Sequence, residues 1–290
     1  MRIPILRVLF AGMFAIVGCS RSGNPLSPGG PPQAGSTIRY SAVGASDANG
    51  VGSSVPCFIE DCATGTGYVQ TAVRTLRFQG FSVVAANRGL PGGVLSRRIQ
   101  TLGRQYGRDE LFFNFIEDEL PFLPKDSTVV TIFAGGNDLN VVRAAIAGGA
   151  ANGNVNGYVD QQVLQFTEDF QTLVAGIQAR AGSARIVILN LPNLAGLPYL
   201  SGGSATDRQA AQRFSVGVTL SAFNPFAARG LAVIDLMCDA RLYQPGNISS
   251  DGFHPNDAGY AILAGQVVSA VTSASYPHPQ NSCSQMAIVP

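Results

Sequence analysis

Five short apolar runs, at residues 37–43, 81–86, 128–133, 185–190 and 231–236, constrain the fold of this chain most. Each is nearly continuous in apolar character, the pattern of a strand covered on both faces, as in a parallel sheet. Amphipathic segments lie between them. Residues 68–78 and 94–106 read as helices. Residues 159–180 form a long periodic stretch, with Val163, Phe166, Phe170, Leu173, Val174 and Ile177 along one side. Residues 207–228 read as a helix that Pro225 bends or ends. Residues 256–270 read as a last helix, with Asn256 as N-cap. This alternation predicts a three-layer α/β/α sandwich around a five-stranded, mainly parallel sheet. No repeat and no shift of composition divides residues 37–290 into two domains.

The first 36 residues read differently. Arg2 and Arg7 flank an apolar run at 8–17 that is too short to span a bilayer and has the form of an export signal. It ends in Ile16-Val17-Gly18-Cys19, which resembles the lipobox of bacterial lipoproteins, where the cysteine is lipidated. Residues 1–18 are then a signal peptide and Cys19 a lipid anchor in the membrane. Residues 19–36, rich in Gly, Pro and Ser, are a tether. The expected location is the cell envelope. With Cys19 set aside, Cys57, Cys62, Cys238 and Cys283 remain, an even number that implies disulfides in an exported protein. Three connectivities are open. Cys57 with Cys62 closes a small loop, and Cys238 with Cys283 staples the C-terminal tail to the body. The cysteines lack metal-ligand spacing and a neighbouring histidine, so no metal is expected. A net charge of +1, with Lys125 the only lysine, gives no reason to expect nucleic acid. A monomer is expected.

In an open parallel sheet, functional groups collect at the carboxyl ends of the strands. There the sequence places Gly44-Ala45-Ser46-Asp47, Asn87-Arg88-Gly89, Gly135-Gly136-Asn137-Asp138 and, beyond a loop, Asp251-Gly252-Phe253-His254. His254 is one of two histidines in 290 residues, and the other, His278, lies between prolines near the end. A serine, a base with a carboxylate three residues before it, and amide donors are the parts of an acyl-transfer site. The glycine-rich segments lack a dinucleotide-binding pattern and a P-loop lysine, so no nucleotide and no other cofactor is expected.

These blocks, in this order, resemble the SGNH (GDSL) hydrolases, whose four name residues are Ser, Gly, Asn and His. The resemblance runs from residue 37 to about residue 270 and includes Asn190-Leu191-Pro192-Asn193 and Pro255-Asn256-Asp257-Ala258-Gly259-Tyr260. It implies a flavodoxin-like sheet and a serine esterase acting on carboxylic esters. Ser46 would be the nucleophile, His254 the base and Asp251 its orienter. Ser46 N–H, Gly89 N–H and the Asn137 side chain would form the oxyanion hole. The first block departs from the family, because Ala45 stands where Asp is usual. The hydrogen bonds of that carboxylate are then lost or taken over by Asp47. Asp138 is expected to cap a helix starting near Leu139. The loops 47–67, 140–157 and 194–205 are expected to choose the substrate, a small-molecule or glycan ester. Leu90, Leu139, Val141 and Val142 are either acyl pocket or core. The same residues also suit an acyltransferase using a hydroxyl acceptor, a glycan deacetylase, or a surface lipoprotein that only binds a ligand.

Overall fold

The computed structural model describes residues 30–58, 62–109 and 113–289. The expected signal peptide, the lipidated Cys19 and most of the tether lie outside the described residues.

Five strands form one sheet: β1 Thr37–Gly44, β2 Ser82–Asn87, β3 Val129–Phe133, β4 Arg185–Leu189 and β5 Ala232–Ile234. Their order is β2-β1-β3-β4-β5, and every pairing is parallel. All five expected strands are present, in the flavodoxin-like order. Side chains alternate between the two faces, as the pleat requires. Val187 and Leu189 join one core with Tyr40, Ala42 and Ile234, whereas Ile186 and Ile188 join the other with Val130 and Ile132.

Helices α1 (Tyr68–Phe78), α2 (Arg97–Gln105), α3 (Gly136–Ala147), α4 (Val155–Arg180), α5 (Ala205–Val218), α6 (Pro225–Ala228) and α7 (Asp257–Thr272) complete the layers. α1 and α7 cover one face, and their Leu76, Tyr68, Leu263 and Val267 are buried there. The apolar side of α4 fills the other face, where Phe170 lies 4.7 Å from Phe223 in an edge-to-face pair. Among the described residues no helix is long and apolar enough to cross a membrane.

Three boundaries differ from the sequence reading for local reasons. α2 begins at Arg97 rather than at residue 94. Val94 pairs with the 113–115 segment, and the Leu95 N–H is taken by Asp138 Oδ1 at 3.0 Å. α4 begins a turn earlier than expected, because Asn154 Oδ1 accepts the Gly157 N–H at 3.0 Å and caps it there. The 207–228 segment is α5, a π-helical turn at Thr219–Phe223, and α6 with Pro225 in its first turn.

Cys238 is bonded to Cys283, one of the expected pairings. The tail on either side of Cys283 is laced to the sheet end: Gln280 N–H donates to Asp235, and Asn193 Nδ2 to the Gln285 carbonyl. The other expected pairing is corrected, because Cys57 and Cys62 are not bonded to each other. The Cys57 N–H is tied to the Asn49 carbonyl, and Cys62 sits in a turn closed by the Gly65 N–H. Both side chains pack on Gly65.

Candidate active site

β1 ends at Gly44, and the chain turns tightly. The Ser46 carbonyl accepts the Asn49 and Val51 N–H groups at 3.1 and 3.0 Å. This turn exposes the Ser46 hydroxyl to one partner: Ser46 Oγ lies 2.8 Å from His254 Nε2. His254 Nδ1 lies 2.6 Å from Asp251 Oδ2. Asp251 Oδ1 accepts from Ser249 Oγ and from the Phe253 and His254 N–H groups at 2.7, 2.8 and 2.9 Å. Burial works against ionising Asp251, but the bonds from His254, Ser249 and the two N–H groups outweigh it and lower the carboxyl to about 2. The pair is thus an ionised carboxylate on one ring nitrogen, with a serine hydroxyl on the other.

The loop carrying this pair is anchored from both sides. Asn256 caps α7 by accepting the Ala258 and Gly259 N–H groups, as its position in the sequence suggested. Asp257, the first residue of α7, accepts from Ser54 N–H and from the Ser54 and Thr66 hydroxyls. Tyr260 donates its hydroxyl to the Val51 carbonyl at 2.7 Å. These contacts tie the 47–67 loop, and with it the serine turn, to the helix that follows the histidine.

Asn137 stands at the start of α3. Gly135, two residues past β3, has φ 110°, a conformation a glycine adopts without strain, and its carbonyl accepts the Leu139 N–H at 3.0 Å. Asn137 Nδ2 donates to the Gly93 carbonyl at 2.9 Å, and the residue lines the pocket beside the serine. An amide has two N–H bonds, so one remains for a ligand. The expected role of Asp138 is corrected. Gly135 begins the helix without a side-chain cap, and Asp138 turns inward, 1% exposed, toward Leu95. Residues 140–147 of the expected 140–157 loop belong to α3, and 155–157 begin α4. Leu139, Val141 and Val142 of α3 are fully buried core.

Gly89 packs closely on the serine turn. A methyl group there would sit 2.7 Å from Ala48 Cβ and 3.0 Å from the Ala45 carbonyl. Its N–H, the expected oxyanion donor, is held by Asn87 Oδ1 at 3.0 Å in this structure. Asn87 Nδ2 reaches the Ala48 carbonyl, and the Asn49 side-chain amide lies beside the Ala45 and Gly89 carbonyls, to which its nitrogen donates once the amide is turned over. Sequence reading passed over Asn49. Its only local signal is an amide three residues after the serine.

Asp47 is half-buried and lines the pocket. Burial raises its carboxyl above the ordinary value, and the nearby His254 charge offsets part of that rise. The carboxyl that hydrogen-bonds the end of β1 comes from elsewhere: Glu119 Oε2 accepts the Gly44 N–H at 2.9 Å. Asn190 is also structural. Its Oδ1 accepts the Leu236 and Met237 N–H groups and joins the ends of β4 and β5.

A small, partly open pocket adjoins Asn137. Its walls are mainly apolar and include Ala134, Leu191, Leu197, Leu236, Ile248 and Phe253. The Phe253 ring packs edge-on against Tyr199 at 5.1 Å and His254 at 4.8 Å. Tyr199 donates to Asn140, and Arg143 joins Tyr199 to Asp207. One wall of the mouth is therefore cross-braced between α3 and α5.

An α/β sandwich with a serine–histidine–carboxylate chain at its strand ends defines a class of hydrolase. The profile of the GDSL-like lipase/acylhydrolase family matches residues 42–262, and the chain belongs to that family. It is a carboxylic ester hydrolase of the GDSL type. The lipase Lip_vut3 from a goat rumen metagenome superposes with a TM-score of 0.53 at 17% identity, covering 81% of this chain and 98% of that one. A structure described as a GDSL-like lipase from Parabacteroides merdae ATCC 43184 superposes with a TM-score of 0.51 at 18% identity, covering 84% and 99%. At these identities the likeness shows the fold. No curated protein matches the sequence.

Proposed function

We propose that the protein is a serine esterase working through Ser46, His254 and Asp251. The observation that carries this reading is the unbroken chain from Ser46 Oγ to His254 at 2.8 Å and on to Asp251 at 2.6 Å. Ser46 Oγ bonds to the ester carbonyl carbon as its proton passes to His254 Nε2. The tetrahedral intermediate then breaks its bond to the alcohol oxygen, and His254 returns the proton to the leaving alcohol. Water attacks the acyl-enzyme in the same way and frees the acid and Ser46. Asp251 holds the ring and stabilises its charged form.

Ser46 N–H, Gly89 N–H and Asn137 Nδ2 serve the oxyanion. Gly89 does so by turning its N–H from Asn87 Oδ1 to the developing charge. Such bonds commonly form only in the transition-state complex. The pocket lined by Leu191, Leu197, Leu236 and Ile248 suits an apolar acyl group. The substrate is then a carboxylic ester with such a group, and the protein acts as a monomer.

On the same reading the protein is a cell-envelope lipoprotein, a proposal supported by the lipobox-like Ile16-Val17-Gly18-Cys19, with residues 1–18 removed, Cys19 lipidated and 19–36 as tether. Loss of the protein from the membrane fraction in Cys19→Ala supports that placement, and full retention there defeats it. The enzymatic reading is tested with p-nitrophenyl esters of increasing chain length on the wild type and Ser46→Ala. Turnover by the wild type alone supports it, and equal rates from both defeat it.

A further inference from the structure

A buried carboxyl outside the triad touches both halves of the site. Glu119 ends the π-helical turn Phe115–Glu119 and is 1% exposed. Its Oε2 accepts the Gly44 N–H at 2.9 Å, a bond spanning 75 residues of sequence. Gly44 is the last residue of β1, two before Ser46. The Gly44 carbonyl accepts the Leu90 N–H at 3.0 Å, and that N–H also faces the Glu119 carboxyl. Leu90 follows Gly89. The carboxyl therefore sits where the strand leading to the nucleophile meets the loop leading to the oxyanion donor.

Among the described residues Glu119 is the carboxyl that accepts the Gly44 N–H. Ala45, where the resemblance leads one to expect Asp, is a methyl group 7% exposed. Asp47 lines the pocket and faces His254. Glu119 Oε1 has no partner among the described residues. Burial, only partly offset by the Gly44 N–H, pushes the carboxyl well above its ordinary value.

We propose that Glu119 is a positioning residue that joins the Gly44–Ser46 turn to the Gly89–Leu90 loop, filling the place that Ala45 leaves without a carboxyl. It touches no substrate. It sets the spacing between the nucleophile and the oxyanion donors, a distance on which acyl transfer depends steeply. The proposal rests on the serine-esterase reading.

Three variants test it: Glu119→Gln, Glu119→Ala and Glu119→Leu. Each is assayed for kcat and KM on a short-chain p-nitrophenyl ester, for melting temperature, and for amide exchange at Gly44 and Leu90. The Gln variant keeps an oxygen for the N–H groups and should keep near wild-type kcat. The Ala variant should lose kcat roughly 100-fold with KM little changed, and exchange should quicken at Gly44 and Leu90 but not in α1 or α7. Leu fills the space without an acceptor and should behave like Ala. It stands in if Ala does not fold. Wild-type kcat in Ala or Leu overturns the proposal. So does a Gln variant as impaired as Ala, because shape or charge would then be the cause. Loss of fold in both Ala and Leu also overturns it, as a purely structural role. If the wild type cleaves no ester, the esterase reading fails, and exchange at Gly44 and Leu90 decides the brace by itself.

Discussion

Replacing Asp138 by Asn should stabilise the protein at alkaline pH far more than at acid pH. Asp138 is 1% exposed; its Oδ1 accepts the Leu95 N–H, and its Oδ2 has no partner among the described residues. Burial raises the carboxyl from 3.8 to about 7, and the Leu95 N–H offsets only part of that. Between those two values the folded protein holds a proton that the unfolded chain has released. Stability therefore falls as pH rises through that window. A gap of about 3 units at 1.36 kcal/mol per unit amounts to about 4 kcal/mol once the pH exceeds the folded value. About 3 kcal/mol of this develops between pH 5 and 8. Asn keeps an acceptor for Leu95 and carries no charge at any pH. Urea unfolding of both proteins at pH 5 and pH 8 gives a difference in which the other titrating groups cancel. The variant should gain about 3 kcal/mol relative to wild type on going to pH 8, or roughly 8 °C in melting temperature. A difference that does not change with pH, or that favours the wild type at pH 8, would refute the burial argument.

Ser46→Ala and His254→Ala should each cut kcat by roughly 10⁶ while leaving the fold intact, because the two act as one unit; steady-state kinetics and circular dichroism check both. Asp251→Asn should cost roughly 10⁴ in kcat. Its carboxyl, held at about 2 in the folded protein, stabilises the fold above the unfolded value near 4 and loses that effect as pH falls through about 2. With the Asp251 side chain 43% exposed the effect is only about 1 kcal/mol, read as the gap between wild-type and Asn acid-unfolding curves, which should close at the lowest pH. Replacing Cys238 and Cys283 by Ser removes a crosslink over 45 residues and should cost about 4 kcal/mol by loop-closure entropy, measured by denaturant unfolding. Unchanged stability in that variant would mean that the bond is not formed.

What adjacent residues encode could be read from the sequence. The five strands and α1 follow from apolar runs and periodicity over a few residues. The Asn256 cap follows from one side chain reaching N–H groups two and three positions away. The strand-end rule then named the groups that the structure gathers: Ser46, Asn137, Asp251 and His254. It works because a parallel sheet sends every strand end to one edge.

The tertiary structure decided which of several available partners each polar group takes. Asp138 could cap a helix or turn inward. Gly135, with its positive φ, started α3 and left Asp138 to Leu95, which is 43 residues away. The Ala45 departure left two local outcomes open, and neither supplied the partner of the Gly44 N–H. That partner is Glu119, from a π-helical turn whose pairing with β1 no local pattern announces. Gly89 was legible as a glycine, but the present engagement of its N–H by Asn87 was not. Periodicity and caps are written in neighbouring residues. A hydrogen bond across 75 residues exists only once the sheet and its crossovers have brought the two ends together.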